Sequence, residues 1–166
     1  MSRLDSFLLR LEAQRACLGW AVETVRPLPG VVLELGLGNG RTYDHLRELL
    51  GGTRELFAFD RHVAAHPDCI PDAAHMIVGN FHETLPRFTE RFRAGVALVH
   101  ADTGGASKAA SEAQARSLVP LLDPLLVAGA VVASDQDMAP PASLGWVAQE
   151  LPRGIEAARY FVYRKQ

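Results

Sequence analysis

Five short stretches carry residue types that can do chemistry. They are Glu34-Leu35-Gly36-Leu37-Gly38-Asn39-Gly40, Asp60-Arg61, Gly79-Asn80-Phe81, His100-Ala101-Asp102 and Asp135-Gln136-Asp137. Glycines at alternate positions permit positive φ and let a ligand lie against bare backbone, which suits a bound nucleoside. Asp60 stands twenty positions after Gly40, where a carboxylate can accept both hydroxyls of a ribose. His100, Asp102 and Asp135 are the groups able to accept a proton or order a reacting partner, and we take them as the catalytic candidates.

Each of these stretches ends an apolar run of strand character. VVLELG (31–36), LFAFD (56–60), HMIVGN (75–80), VALVHAD (96–102) and AVVASD (130–135) read as strands, with RYFVYR (159–164) as a last one. Between them lie helical patterns over 41–50, about 83–93, 106 to about 126, and a short one around Ser143 to Leu151. An amphipathic helix at about 3–26 comes first, with Leu4, Phe7, Leu8 and Leu11, then Leu18, Val22 and Val25, at three- and four-residue steps. Strands alternating with helices at these lengths predict parallel βαβ units, hence an open, mostly parallel α/β sheet of about six strands with helices on both faces. Ligands collect beyond the carboxyl ends of such strands, so the five stretches are expected to share one crevice.

At 166 residues the chain is expected to form a single domain, 1–166. Its 48% hydrophobic and 22% charged residues are ordinary for a globular protein. A net charge of −2 without a basic run argues against a nucleic-acid or anionic-membrane partner. Cys17 and Cys69 lack metal-ligand spacing and need no disulfide, which fits a reducing, cytoplasmic setting. The first residues mix charge into every few positions, unlike a secretory signal, and the longest apolar run, Leu125 to Ala133, is too short to cross a bilayer.

An acid at the strand's end followed by three alternate glycines resembles the first motif of class I S-adenosylmethionine-dependent methyltransferases, and the resemblance extends over about residues 30 to 136. It implies a three-layer Rossmann-like sandwich, S-adenosyl-L-methionine as cofactor and methyl transfer as the activity. It further implies Glu34 near the methionyl ammonium, and Gly36, Leu37, Gly38, Asn39, Gly40 and Thr42 along the cofactor. Asp60 and Arg61 are implied at the ribose, Asn80 and Phe81 around the adenine, and Asp102 at the methionine end.

Other readings of the same residues stay open. Asp60, Asp102 and Asp135 can serve as caps, Asn80 as a turn residue, Phe81 as core, and His100 as a hydrogen-bonded structural histidine. Glu34 resists such a reading, because a carboxylate on a buried strand needs a partner. The last two strand ends partly resemble metal-dependent catechol-type O-methyltransferases. His100 and Gln136 replace the expected acid and amide, however, so no metal is expected.

A dinucleotide-dependent oxidoreductase is the rival of the same fold. It requires Gly-x-Gly-x-x-Gly, yet the sixth position from Gly36 is Arg41, and no Tyr is followed four residues later by Lys. A nucleoside-binding module without transfer is the other. The acceptor is expected to be a small molecule, and a homodimer is expected to help close the crevice. If the first helix and the 138–146 segment fold over that crevice, Trp20, Met138 and Trp146 would line the acceptor pocket.

Overall fold

The computed structural model describes residues 1–104 and 107–166. Helix α1 (Arg3–Val25) starts at a capping box, in which the Asp5 N–H donates to Ser2 Oγ and the Ser2 N–H donates to Asp5 Oδ2, both at 3.0 Å. Then follow β1 (Val31–Leu35), α2 (Arg41–Leu50), β2 (Leu56–Asp60) and β3 (Met76–Val78). The chain continues through α3 (Phe81–Phe92), β4 (Val96–Ala101), α4 (Lys108–Leu122), β5 (Leu126–Ser134), β6 (Trp146–Ala148) and β7 (Phe161–Lys165).

The sheet has the order β3-β2-β1-β4-β5-β7-β6. Strands β1 to β5 run parallel, and β7 is inserted antiparallel between β5 and β6. Strand order reverses between β1 and β4, so the connections leaving their carboxyl ends part and leave a crevice.

Alternation along the strands divides the core into two layers. Val32, Leu98 and Val131 face Leu18 and Val22 of α1 and Leu46 of α2. Leu33, Val99 and Val132 face Leu85 and Phe88 of α3 and Leu118 and Leu122 of α4. Each such side chain contributes about 1.5–3 kcal/mol by leaving water, so this three-layer packing is what fixes the strand ends in place.

The expected mostly parallel α/β sandwich is therefore present, with seven strands in a mixed sheet. The seventh strand lies where a helix is expected, at Ser143 to Leu151. That segment instead forms a 3-10 turn, Ala142–Leu144, closed by Gly145 at φ +68°, and then β6. Trp146 is buried while Val147 and Ala148 are exposed on this edge strand, and eight or nine residues are too few to show a helical period. Strand β5 begins four residues before the expected Ala130. A register shift against β4 around Gly129, at φ +80°, absorbs the extra residues as a bulge. Helix α4 begins at Lys108, and Ala106, where it is expected to start, lies outside the described residues. No helix among the described residues is long and apolar enough to cross a membrane.

Candidate functional site

The end of β1 is tied tightly to both of its neighbours, β2 and β4. The Gly36 N–H donates to the Phe59 carbonyl at 2.9 Å, and the Asp102 N–H donates to the Leu35 carbonyl at 3.0 Å. Gly36 sits at φ +91°, and a Cβ there would lie 2.2 Å from the Asp102 carbonyl oxygen, so only glycine lets the strands meet this way. Gly38, at φ +51°, differs: a Cβ built on it meets nothing within 4 Å. It borders open space.

Asp60, at the end of β2, folds this turn over. Its Oδ2 accepts from the Gly38 N–H at 3.0 Å and its Oδ1 from the His62 N–H at 3.3 Å. Two lobes of one groove result. The first, about 210 Å³, is lined by Gly36, Gly38, Asp60, Arg61, Phe81 and Gln114. The second, about 260 Å³, is lined by Arg10, Leu11, Gln14, Asn39, Arg41 and Thr42. Gly36, Gly38, Asp102 and Gly104 belong to both lobes, so the lobes meet at the crossing of β1 and β4.

Several expected residues do reach the groove, and others lie beside or beneath it. Leu37 and Gly40 flank the turn differently: Leu37 turns its side chain into the core, and a Cβ on Gly40 would lie 2.5 Å from Cys69 Cβ. Asn80 caps α3, its Oδ1 accepting from the His82 N–H at 3.0 Å, and it does not line the first lobe. Trp20, Met138 and Trp146 line neither lobe. Trp146 instead donates from Nε1 to Asp123 Oδ1 at 2.8 Å, beside the start of β5, the end of the sheet away from the crevice.

Glu34 and His100 are wholly buried under the groove floor. Glu34 Oε2 lies 2.6 Å from His100 Nδ1, Glu34 Oε1 accepts from the Thr42 hydroxyl, and His100 Nε2 is hydrogen-bonded to the Tyr160 hydroxyl. Burial lowers the His100 pKa, and the facing Glu34 carboxylate, helped by Asp102 and Asp135, outweighs it and leaves the ring above its ordinary value. With both ring nitrogens engaged away from the groove, His100 is not placed as a base for a bound acceptor.

Asp102 accepts from Gln14 Nε2 at 2.9 Å and lies 4.0 Å from Arg10 Nη1. Asp135 lines neither lobe; it stands against Asp102, which lines both, and accepts from Gln136 Nε2 at 2.9 Å. Burial, with the neighbouring Asp102 charge, pushes the Asp135 carboxyl up to about 6. Asp137 turns away and accepts from the Tyr163 hydroxyl at 2.6 Å. Among the described residues no three His, Cys, Asp or Glu side chains are grouped to hold a metal ion.

Sequence reasoning missed Arg10, Gln14, Gln114 and Tyr160. Gln14 had a signal: it interrupts the apolar stripe between Leu11 and Leu18 of α1, where a polar residue asks for a partner.

A profile of the S-adenosyl-L-methionine methyltransferase family matches residues 1–165. An S-adenosyl-L-methionine methyl transferase from Silicibacter pomeroyi DSS-3 is 44% identical, with a TM-score of 0.93, 100% of this chain and 99% of that one being covered. TrmN from Thermus thermophilus, 19% identical with a TM-score of 0.65, is matched over 90% of this chain and 48% of its own, and shares the fold. The antibiotic-resistance methyltransferase Kmr shares it more distantly, at 10% identity and a TM-score of 0.54 over 86% of this chain and 89% of its own. No curated protein matches the chain. With the family profile spanning nearly every residue, the chain belongs to the S-adenosyl-L-methionine methyltransferases and is an enzyme that uses S-adenosyl-L-methionine as its cofactor.

Proposed function

We propose that the enzyme methylates a small-molecule acceptor, and that the two-lobed groove holds S-adenosyl-L-methionine. One observation carries this reading: the lobes join over the bare backbone of Gly36 and Gly38, with the Asp60 carboxylate in one lobe and Asp102, Gln14 and Arg10 in the other. Each lobe alone is smaller than the roughly 300 Å³ at which ligand sites begin, and only the joined groove suits a nucleoside carrying an amino-acid tail. A side chain at Gly38 would project into the space where the lobes meet.

In this reading Asp60 accepts from the ribose hydroxyls, and Phe81 packs on the adenine with Asn80 and Arg61 at its rim. Gly40, Asn39 and Leu37 shape the turn that the cofactor follows. Asp102 and Gln14 hold the amino-acid end, Thr42 stands on the wall opposite them, and Glu34 acts through Thr42 and His100. S-adenosyl-L-methionine, when bound, supplies an electrophilic methyl on a sulfonium. The chain's own part is to orient the acceptor and take its proton. Asp135, with its carboxyl near pKa 6 and backed by Asp102, is ionised at neutral pH and is the group suited to that task.

A net charge of −2 without a basic run supports a small-molecule acceptor over nucleic acid. We further propose that residues 1–166 act as one domain in the cytoplasm. Leu4, Phe7 and Leu8, exposed on the first turns of α1, support association of two copies next to the groove, which solution mass measures.

Calorimetry tests the groove: S-adenosylhomocysteine should bind and NAD should not, and binding of NAD alone would overturn the assignment. Methyl-labelled S-adenosyl-L-methionine, incubated with fractionated cell extract, should label the low-molecular-mass fraction. Label confined to RNA would refute the acceptor class.

A further inference from the structure

The Glu34–His100 pair is part of a longer chain. Hydrogen bonds run from the Thr42 hydroxyl through Glu34 and His100 to the Tyr160 hydroxyl, beside which stands Gln14, donating to Asp102. Thr42 and Asp102 both line the second lobe, so the chain passes beneath the floor and joins walls drawn from α2, β1, β4, α1 and the approach to β7. Its links are shielded from water: Glu34 and His100 are 0% exposed, Tyr160 1% and Gln14 6%.

Such a chain is hard to explain as a source of stability. Packing a layer with apolar residues of similar volume is commonly as stable as packing it with a buried ion pair. A connected polar network does something else, because every member constrains the geometry of the next. Here the two ends of that arrangement are groove residues.

We propose that Tyr160 and His100 are positioning residues for the cofactor groove, which by joining Gln14 and Asp102 on one wall to Glu34 and Thr42 on the other fix the width of the second lobe. The proposal rests on the reading of this groove as the S-adenosyl-L-methionine site. His100 is the joint of the chain. Glu34 faces it from β1, Asp102 from the end of its own strand, Asp135 from β5, and Tyr160 from the segment before β7. From α1, Gln14 stands beside Tyr160 and donates to Asp102, and Arg10 stands 4.0 Å from Asp102. The carboxylates favour a protonated ring, and the Tyr160 oxygen accepts from its second N–H. Removing that oxygen leaves a buried donor without a partner, which the ring relieves by giving up the proton.

The test is S-adenosylhomocysteine binding by calorimetry across neutral pH for the wild-type protein, Tyr160→Phe and Gln14→Met. Wild-type affinity should stay level between about pH 7 and 8 and change below that only as Asp135, with its carboxyl near 6, takes up a proton. Tyr160→Phe should bind roughly tenfold more weakly at the upper end, the scale set by one unsatisfied buried group, and recover toward wild type at the lower end. Gln14→Met should weaken binding without adding pH dependence, because His100 keeps both partners. In the double variant the loss should fall short of the product of the single losses, as expected for members of one network.

A folded Tyr160→Phe variant with wild-type affinity and the wild-type pH profile would overturn the proposal, as would multiplicative losses in the double variant. If Tyr160→Phe fails to fold, Gln14→Met decides alone, and wild-type affinity in that variant also overturns it. Failure of the wild-type protein to bind at all would instead remove the groove assignment on which the proposal stands.

Discussion

Glu34 and His100 face each other across adjacent parallel strands, paired in register on β1 and β4, with Oε2 and Nδ1 2.6 Å apart and neither side chain reaching solvent. This pair answers the question that a carboxylate on a buried strand poses. The partner comes from the neighbouring strand, and the cofactor is not needed to satisfy it. Breaking such a pair by removing one member costs about 3–5 kcal/mol, because the charge left behind stays buried.

Glu34→Gln is therefore expected to lower stability by about 3 kcal/mol near pH 6. The pH dependence should also reverse. His100 has a raised pKa in the folded protein, so its contribution is fully present below the unfolded value of about 6.5 and is lost as pH rises through the folded value. Wild-type stability should thus fall on the alkaline side. Without Glu34 the buried ring is neutral when folded, and stability should rise with pH through about 6.5 instead. Urea denaturation at three pH values distinguishes the two slopes.

Asp135 behaves in the opposite sense to an ordinary paired carboxylate. Its carboxyl is pushed up to about 6 from its ordinary value of 3.8 by burial and by the Asp102 charge. The folded state then binds a proton more readily than the unfolded chain, and stability falls as pH rises from 3.8 to about 6. Asp135→Asn should stabilise the protein by about 1–2 kcal/mol at pH 8, after allowance for partial exposure, and change it little at pH 4. Activity should move the other way: loss of turnover with retained S-adenosylhomocysteine affinity would support Asp135 as the proton acceptor, and unchanged turnover would exclude it.

Asp60 has both a structural and a binding part to lose. Asp60→Ala removes the acceptor for the Gly38 and His62 N–H groups, a cost of about 1–2 kcal/mol in stability. It also removes the proposed acceptor for the ribose hydroxyls, and affinity for S-adenosylhomocysteine should fall by about tenfold to a hundredfold. Thermal denaturation measures the first part, and calorimetry on the folded variant below its melting range measures the second.

The strands, the glycine turn and the acid after β2 were legible because their signals are local: apolar runs of strand length, and residue types required by a turn. Partnerships across the fold were not. Glu34 meeting His100, Tyr160 meeting His100, and Gln14 meeting Asp102 join positions 60 to 88 residues apart, and sequence shows only that each needs some partner. Strand β6 was missed for a different reason, since three residues bounded by Gly145 carry too little pattern to separate edge strand from helix. The same limit applies to Asn80, whose capping bond and proposed adenine contact ask for the same residue type.

The glycine turn separates fold from function within three residues. Gly36→Ala should disrupt folding, because its Cβ would lie 2.2 Å from the Asp102 carbonyl oxygen and neither backbone segment can give way without breaking the β1–β4 crossing. Gly38→Ala meets no protein atom within 4 Å and only asks a non-glycine residue to hold φ +51°, a cost of about 1 kcal/mol. The prediction is a folded Gly38→Ala protein, only slightly less stable in thermal denaturation, whose affinity for S-adenosylhomocysteine drops by about tenfold or more as the methyl group enters the space where the two lobes join. Gly38→Val, larger in the same direction, should abolish binding. Undiminished affinity in both folded variants would mean that the cofactor does not pass over this turn, and the groove assignment would have to move to other residues.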